Sequence, residues 1–300
     1  MSYIEYFELE MEPFSNAPDA RFYFDSDQHS QALVRLMYAV NSNKGLAVLV
    51  GGVGTGKTTL ARRMLDTLDE SRYESSMLVM VHSGIDPEWI LTRIAMQLGI
   101  QEPASDRLAV LKQLYERLLE IDSQGRKAVI LIDEAQMLQS RELMEEFRGL
   151  LNLEIPGKKL INIVFFGLTE IEDCLRLDEP LAQRVAVKYN LGSFTLDLTT
   201  RYINHRLSVA GARRPLFDPM AIQSVHNYAG GVPRLINTIC DNCLFETHMQ
   251  KGNQVVPKIV ESVAGDLGLL HRPTANLPDS LGDDDDFDEI EDMLDQLEQK

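Results

Sequence analysis

Two hydrophobic periods alternate along the chain. Short runs of almost unbroken apolar residues, at 46–50, 77–81, 128–132, 160–166 and 185–191, are separated by stretches in which apolar residues return every three or four positions. Runs this short and this rich in Val, Ile and Leu fit strands buried on both faces. Helical spacing covers 28–41, where Leu33, Leu36, Met37 and Val40 share a face, and then 58–68, 87–98, 106–121 and 141–151. Strands alternating with helices predict βαβ units on a parallel sheet with helices on both sides, an α/β domain over 28–195. Beyond it only the helical period remains, at 199–210, 218–229, 233–249 and 257–268, punctuated by Gly211, Pro219 and the Gly230–Gly231 pair. These helices predict a smaller all-helical domain over 196–270.

The ends read differently. Residues 1–27 lack a period but hold seven aromatics (Tyr3, Tyr6, Phe7, Phe14, Phe22, Tyr23 and Phe24), with Pro13 and Pro18 against helix formation. An irregular arm, anchored by its rings, is expected. Residues 271–300 read as a linker and an acidic tail. Within the tail Phe287, Ile290, Met293, Leu294 and Leu297 would share one face of a helix, which fits docking to a protein partner as well as it fits a solubilising extension.

Charge sharpens this division. The 300 residues carry a formal net charge of −17, and eleven of the 46 acids fall in 276–300 beside a single Lys. Such a balance opposes nucleic acid and anionic lipid as general partners. DNA is therefore the less favoured partner, reached only through basic pairs such as Arg62–Arg63, Lys158–Lys159 and Arg213–Arg214, which elsewhere are ordinary solvated surface. Three cysteines (Cys174, Cys240 and Cys243) are too few for a disulfide framework. Cys240 and Cys243 share a predicted helix and read as packing groups, as does Trp89. No apolar run approaches the roughly 20 residues of a membrane span, and the first residues lack a signal-peptide pattern, so a cytoplasmic protein reaching a membrane only through a partner is expected.

The chemistry concentrates at two strand ends. Gly51-Gly52-Val53-Gly54-Thr55-Gly56-Lys57-Thr58 matches the phosphate-binding pattern G-x-x-x-x-G-K-[ST] between a strand and a helix. Glycines let the backbone aim several amides at one point, and the helix N-terminus adds its positive end. The loop from Gly51 through Thr59 is thus the expected polyphosphate cradle of ATP, with Lys57 reaching the outer phosphates and the Thr58 hydroxyl on Mg²⁺. The second end is Val129-Ile130-Leu131-Ile132-Asp133-Glu134, an apolar strand stopping at two acids. Asp133 is the expected second Mg²⁺ ligand, and Glu134 the residue that polarises an attacking water.

With these motifs the chain resembles the AAA+ ATPases, and more narrowly the ExeA-like (general secretion pathway protein A) group. The likeness adds Tyr6-Phe7-Glu8-Leu9, Glu12-Pro13-Phe14, Ile132-Asp133-Glu134-Ala135-Gln136 and Gly231-Val232-Pro233-Arg234-Leu235-Ile236-Asn237, and runs over about residues 3–250. It implies a homo-oligomer, ring or filament, that hydrolyses Mg-ATP at subunit interfaces to drive or switch a secretion, pilus or envelope machine. Relatives that assist transposition share the pattern, which keeps a DNA-associated regulator as an alternative; a nucleotide-gated scaffold with little turnover is a further, separate one. The resemblance also implies that Arg184, in Leu181-Ala182-Gln183-Arg184-Val185, reaches a neighbouring subunit's γ-phosphate, and that Arg234 senses it from within the same subunit. A surface arginine capping a helix end and a domain-interface ion pair are the plainer alternatives for the two. One departure stands out: Leu168 occupies the place where the family usually has a polar first sensor, and Thr169 is the nearest substitute.

Overall fold

The computed structural model describes residues 2–17 and 19–269. Five parallel strands form the central sheet: β1 (Leu46–Gly51), β2 (Tyr73–Val79), β3 (Lys127–Asp133), β4 (Ile161–Gly167) and β5 (Val185–Leu191). Their order is β2-β3-β4-β1-β5. The near-continuous apolar runs are explained by two cores. Alternate residues such as Val48, Ile130 and Phe165 point to one, and Leu49, Leu131 and Phe166 to the other, because successive strand side chains face opposite ways. Helices α1 (Asp27–Asn41) and α2 (Lys57–Thr67) cover the second face. Helices α3 (Pro87–Gln97), α4 (Arg107–Ser123) and α5 (Arg141–Leu150) cover the first.

Strand β2 begins four residues before the apolar run that marked it. Glu74, Ser75 and Ser76 pair with Ala128, Val129 and Ile130, yet β2 is an edge strand and keeps polar side chains that a central strand would exclude. Between α5 and β4 a tight hairpin, Glu154–Ile155 with Lys158–Lys159, carries no apolar period at all. Two short helices, Ile171–Arg176 and Glu179–Ala182, fill the β4–β5 connection. Trp89 is 43% exposed and so is not the core packing group its apolar ring suggested.

After β5 come α6 (Leu196–Val209), α7 (Pro219–Ala229), α8 (Pro233–Met249) and α9 (Pro257–Asp266). Proline in the first turn of the last three sets φ where no amide partner is lost. These helices share a core of their own, and the aromatic arm belongs to it: Phe7, Phe14 and Phe22 are buried with Phe217, Ile239 and Val260. The arm opens with a capped helical turn, Tyr3–Tyr6, and its Tyr3 hydroxyl donates to Asp241 Oδ1 at 2.6 Å. Buried Arg206 holds the next stretch, donating to the carbonyls of Pro13 and Ser15 while stacking over Phe22 at 4.6 Å. Cys240 and Cys243 lie buried in α8, and burial pushes the Cys243 thiol up to about 12, so both act as small apolar groups at neutral pH. The docking helix expected in the acidic tail lies outside the described residues.

Candidate functional site

The C-terminal ends of β1, β3 and β4 meet at one rim of the sheet. Gly51 ends β1, and residues 52–56 turn sharply into α2. Gly54 and Gly56 take φ of 76° and 104°, a region that side chains avoid. A Cβ at Gly54 would lie 2.8 Å from Arg234 Cβ, so the helical domain rests directly on the loop; the Arg234 amide also donates to the Gly54 carbonyl at 3.3 Å. At Gly56 a Cβ would stand 2.9 Å from His29 Nε2. His29 is buried and shares a 2.6 Å hydrogen bond between its Nδ1 and Ser26 Oγ. Burial pulls its imidazole below the usual range, against a hydrogen bond with the Thr55 backbone that favours the charged form.

Lys57 opens α2 and is almost fully buried. Its ammonium donates to the carbonyls of Gly51 and Gly52 at 2.9 and 2.8 Å, folding the side chain back over the loop. Desolvation lowers its pKa, opposed by the nearby carboxylates of Glu134 and Asp133. Thr58, in the same turn, donates its hydroxyl to Asp133 Oδ2 at 2.7 Å. Asp133 is 1% exposed, its other oxygen Oδ1 makes no hydrogen bond, and burial raises its carboxyl pKa. An acid with one buried oxygen unsatisfied, beside a threonine hydroxyl and an ammonium, is poised for a cation. Glu134 follows in a left-handed conformation (φ 55°, ψ 39°) that turns its side chain onto the site wall. Val53, Thr55 and Thr59 complete the loop and the first turn of α2.

A cavity of about 680 Å³ joins these parts. Its floor is the loop and Thr58, and Glu134 and Leu168 form one wall. Arg234 and Asn237 of α8 close it from the helical domain, and Phe22 and Tyr23 of the arm cover the far end. Tyr23 carries a hydroxyl that is buried without a partner and whose pKa is raised to about 12 by burial; Arg63 stacks on its ring at 5.4 Å. The cavity is therefore lined by cations (Lys57, Arg63, Arg206 and Arg234) and by the rings of Phe22 and Tyr23, two of the arginines lying directly on those rings.

Two residues singled out in the sequence lie elsewhere. Arg184 precedes β5 and does not line the cavity; it donates to the Arg148 carbonyl at 3.2 Å and Asn152 Oδ1 at 2.6 Å, capping the end of α5. Thr169 donates to Glu170 and also stays off the cavity wall, which Leu168 occupies. Of the basic pairs, Lys158 bonds Asp122, and Lys159 bonds Glu154. Sequence reasoning missed His29 and Gln136. His29 had only a Ser three residues earlier to distinguish it, whereas Gln136 stood inside a quoted motif without a role.

Residues 40–175 match the family described as AAA domain. General secretion pathway protein A of Aeromonas hydrophila is 34% identical over 260 residues, which is 85% of this chain and 46% of that protein. The chain thus spans about half the length of this curated relative. Among solved structures, Cdc6p from Pyrobaculum aerophilum superposes with a TM-score of 0.67 at 20% identity, over 85% of this chain and 70% of that one. The Aeropyrum pernix ORC2 protein, in its ADPNP–ADP complexes, gives 0.65 at 16% identity over 86% and 72%. Likeness at that identity speaks for the fold. On these matches the chain belongs to the AAA+ P-loop proteins, in the group of general secretion pathway protein A.

Proposed function

We propose that this protein binds Mg-ATP in the cavity at the sheet rim and hydrolyses it between subunits of a homo-oligomer, as the nucleotide-driven part of a secretion or envelope-assembly machine. The observation that carries the reading is one cavity lined by the glycine loop, the Lys57 ammonium, Thr58 and aromatic side chains, with Asp133 held just behind it by the Thr58 hydroxyl. Its chemistry matches a nucleoside triphosphate from phosphate to base.

The residues fit a magnesium ion as well. Asp133 and Thr58 would hold it together with phosphate oxygens, and Mg²⁺ favours such mixed sites over all-protein cages. When bound, it neutralises phosphate charge. The chain's own groups do the rest. Amides of the loop and the first turn of α2 converge on the phosphates, and Lys57 exchanges its two carbonyl partners for phosphate oxygens. Glu134 accepts a hydrogen bond from the attacking water and orients it. Arg234, whose backbone is bonded to the loop, senses the outer phosphate and transmits its presence to the helical domain. Arg184 serves the neighbouring subunit, and for that it leaves Asn152 and the Arg148 carbonyl.

A secretion-related role rests on the match to general secretion pathway protein A. No helix among the described residues is long and apolar enough to cross a membrane, and action from the cytoplasmic side through a protein partner is part of the proposal. The test is calorimetric binding of Mg-ATP to wild type and Lys57→Ala. Binding only by wild type supports the site, and equal affinity refutes it. Turnover measured with and without duplex DNA at two salt concentrations separates the DNA-regulator reading, since stimulation through phosphate contacts falls steeply with salt.

A further inference from the structure

We propose that Gln136 is a positioning residue of this site: it holds the Glu134 carboxylate from behind and ties it to the tip of β4. This rests on the reading of Glu134 as the water-orienting acid. Gln136 is 5% exposed and lies in the single turn Ala135–Met137 that follows β3. Both ends of its side-chain amide are used. Nε2 donates to Glu134 Oε2 at 2.6 Å, and Oε1 accepts the backbone N–H of Leu168 at 3.0 Å. The Gln136 carbonyl accepts the Cys174 thiol at 3.6 Å, which anchors the turn to the helix Ile171–Arg176.

Three features make this bridge directional. Glu134 lines the cavity and Gln136 does not, so the amide grips the carboxylate from the protein side. The bond takes Oε2 only, and Oε1 makes no hydrogen bond among the described residues. Gly167 lets the amide pass close to β4, because a Cβ there would lie 3.2 Å from Gln136 Oε1. A donor to an ionised carboxylate fixes its torsions more firmly than a neutral contact does. It also holds in register a residue whose backbone is already left-handed, a conformation retained where surroundings enforce it.

The bridge also accounts for Leu168. An alkyl group at the tip of β4 has no polar contact to offer, but the Leu168 amide supplies one through Gln136. The link between the β3 and β4 tips is thereby built from the β3 side. A displacement of β4 then moves the Glu134 carboxylate, through two hydrogen bonds.

The experiment compares wild type, Gln136→Met and Gln136→Glu, and repeats Gln136→Met in a Glu134→Gln background. Binding of a fluorescent ATP analogue with Mg²⁺, steady-state turnover and thermal melting are measured for each. Gln136→Glu is isosteric and keeps the acceptor for Leu168 while losing the donor to Glu134, so it remains informative where the Met variant folds poorly. Both single variants are expected to lower kcat by about 10- to 100-fold, the scale of a misplaced reacting group, with analogue affinity within about threefold of wild type. In the Glu134→Gln background the added substitution is expected to cost nothing further, because a residue acting only through Glu134 is silent once that acid is gone. A folded Gln136→Glu protein with wild-type kcat overturns the proposal, as does a full additional loss in the Glu134→Gln background. Wild type that binds the analogue without turnover removes the water-orienting reading of Glu134 and this proposal with it. Normal wild-type turnover with silent Gln136 variants removes the proposal alone.

Discussion

Two glycines of the phosphate-binding loop, both at positions the motif leaves open, should respond very unequally to alanine. Gly54 sits at φ 76°, and its added Cβ would lie 2.8 Å from Arg234 Cβ and 3.1 Å from Val232 Cγ1. The left-handed conformation costs an alanine about 1–2 kcal/mol. Forcing the helical domain off the loop adds about 1–3 kcal/mol, as overpacking in a formed core does. Together these give about 2–5 kcal/mol, a fall in melting temperature of about 5–15 °C for a unit of this size. At Gly52 the nearest atom to a Cβ is Thr55 Cγ2 at 3.5 Å, an ordinary contact, and φ is not positive. Gly52→Ala is therefore expected to stay within about 0.5 kcal/mol of wild type, as exposed substitutions do. Differential scanning calorimetry of both variants, with and without Mg-ATP, decides it. Gly54→Ala should also lose part of the ligand-induced rise, because the displaced helix α8 carries Arg234. Indistinguishable midpoints for the two variants would refute the claim that the helical domain is seated on Gly54.

Other expectations follow from the same geometry. Glu134→Gln should bind Mg-ATP like wild type while turnover falls by about 10²–10⁴-fold, the range for a lost general base; unchanged turnover removes the acid from the chemistry. Mixing Arg184→Ala with Lys57→Ala protein should restore some activity where an intact loop meets an intact arginine, and no recovery in proven mixed oligomers counts against action across the interface. Burial lowers the pKa of His29, His205 and His226. Above the unfolded value of about 6.5 both states are neutral, whereas below it the unfolded chain takes up protons that the folded one resists. Thermal stability should therefore fall as pH drops from 7 toward 5.5, with a shallower fall in His29→Gln, and a flat wild-type profile contradicts the assignment.

Much of the fold was legible because its signals are local. Unbroken apolar runs mark strands covered on both faces, as Ile130, Leu131 and Ile132 show by sending side chains into two cores. The helices after β5 announce themselves through Pro219, Pro233 and Pro257 at their starts. Legibility fails where an element has no periodic burial, as in the polar half of edge strand β2 and the hairpin at Glu154–Lys159. The arm's aromatics were visible as anchors, but that they belong to the core of the helical domain is a matter of long-range packing.

The site divides the same way. A phosphate-binding loop depends on glycine spacing, one lysine and one hydroxyl within eight residues, and an acid pair needs only the end of its strand, so sequence alone determined Gly51 to Thr58, Asp133 and Glu134 as candidates. Tertiary structure alone decided that Gly54 and not Gly52 is pressed by the helices that follow β5, that His29 abuts Gly56, that Gln136 spans two strand tips, and that Arg184 caps α5 within its own chain. Each of these joins residues far apart in sequence, or chooses among several equally polar neighbours. Such choices are made by distances of a few ångströms that only the packed chain defines.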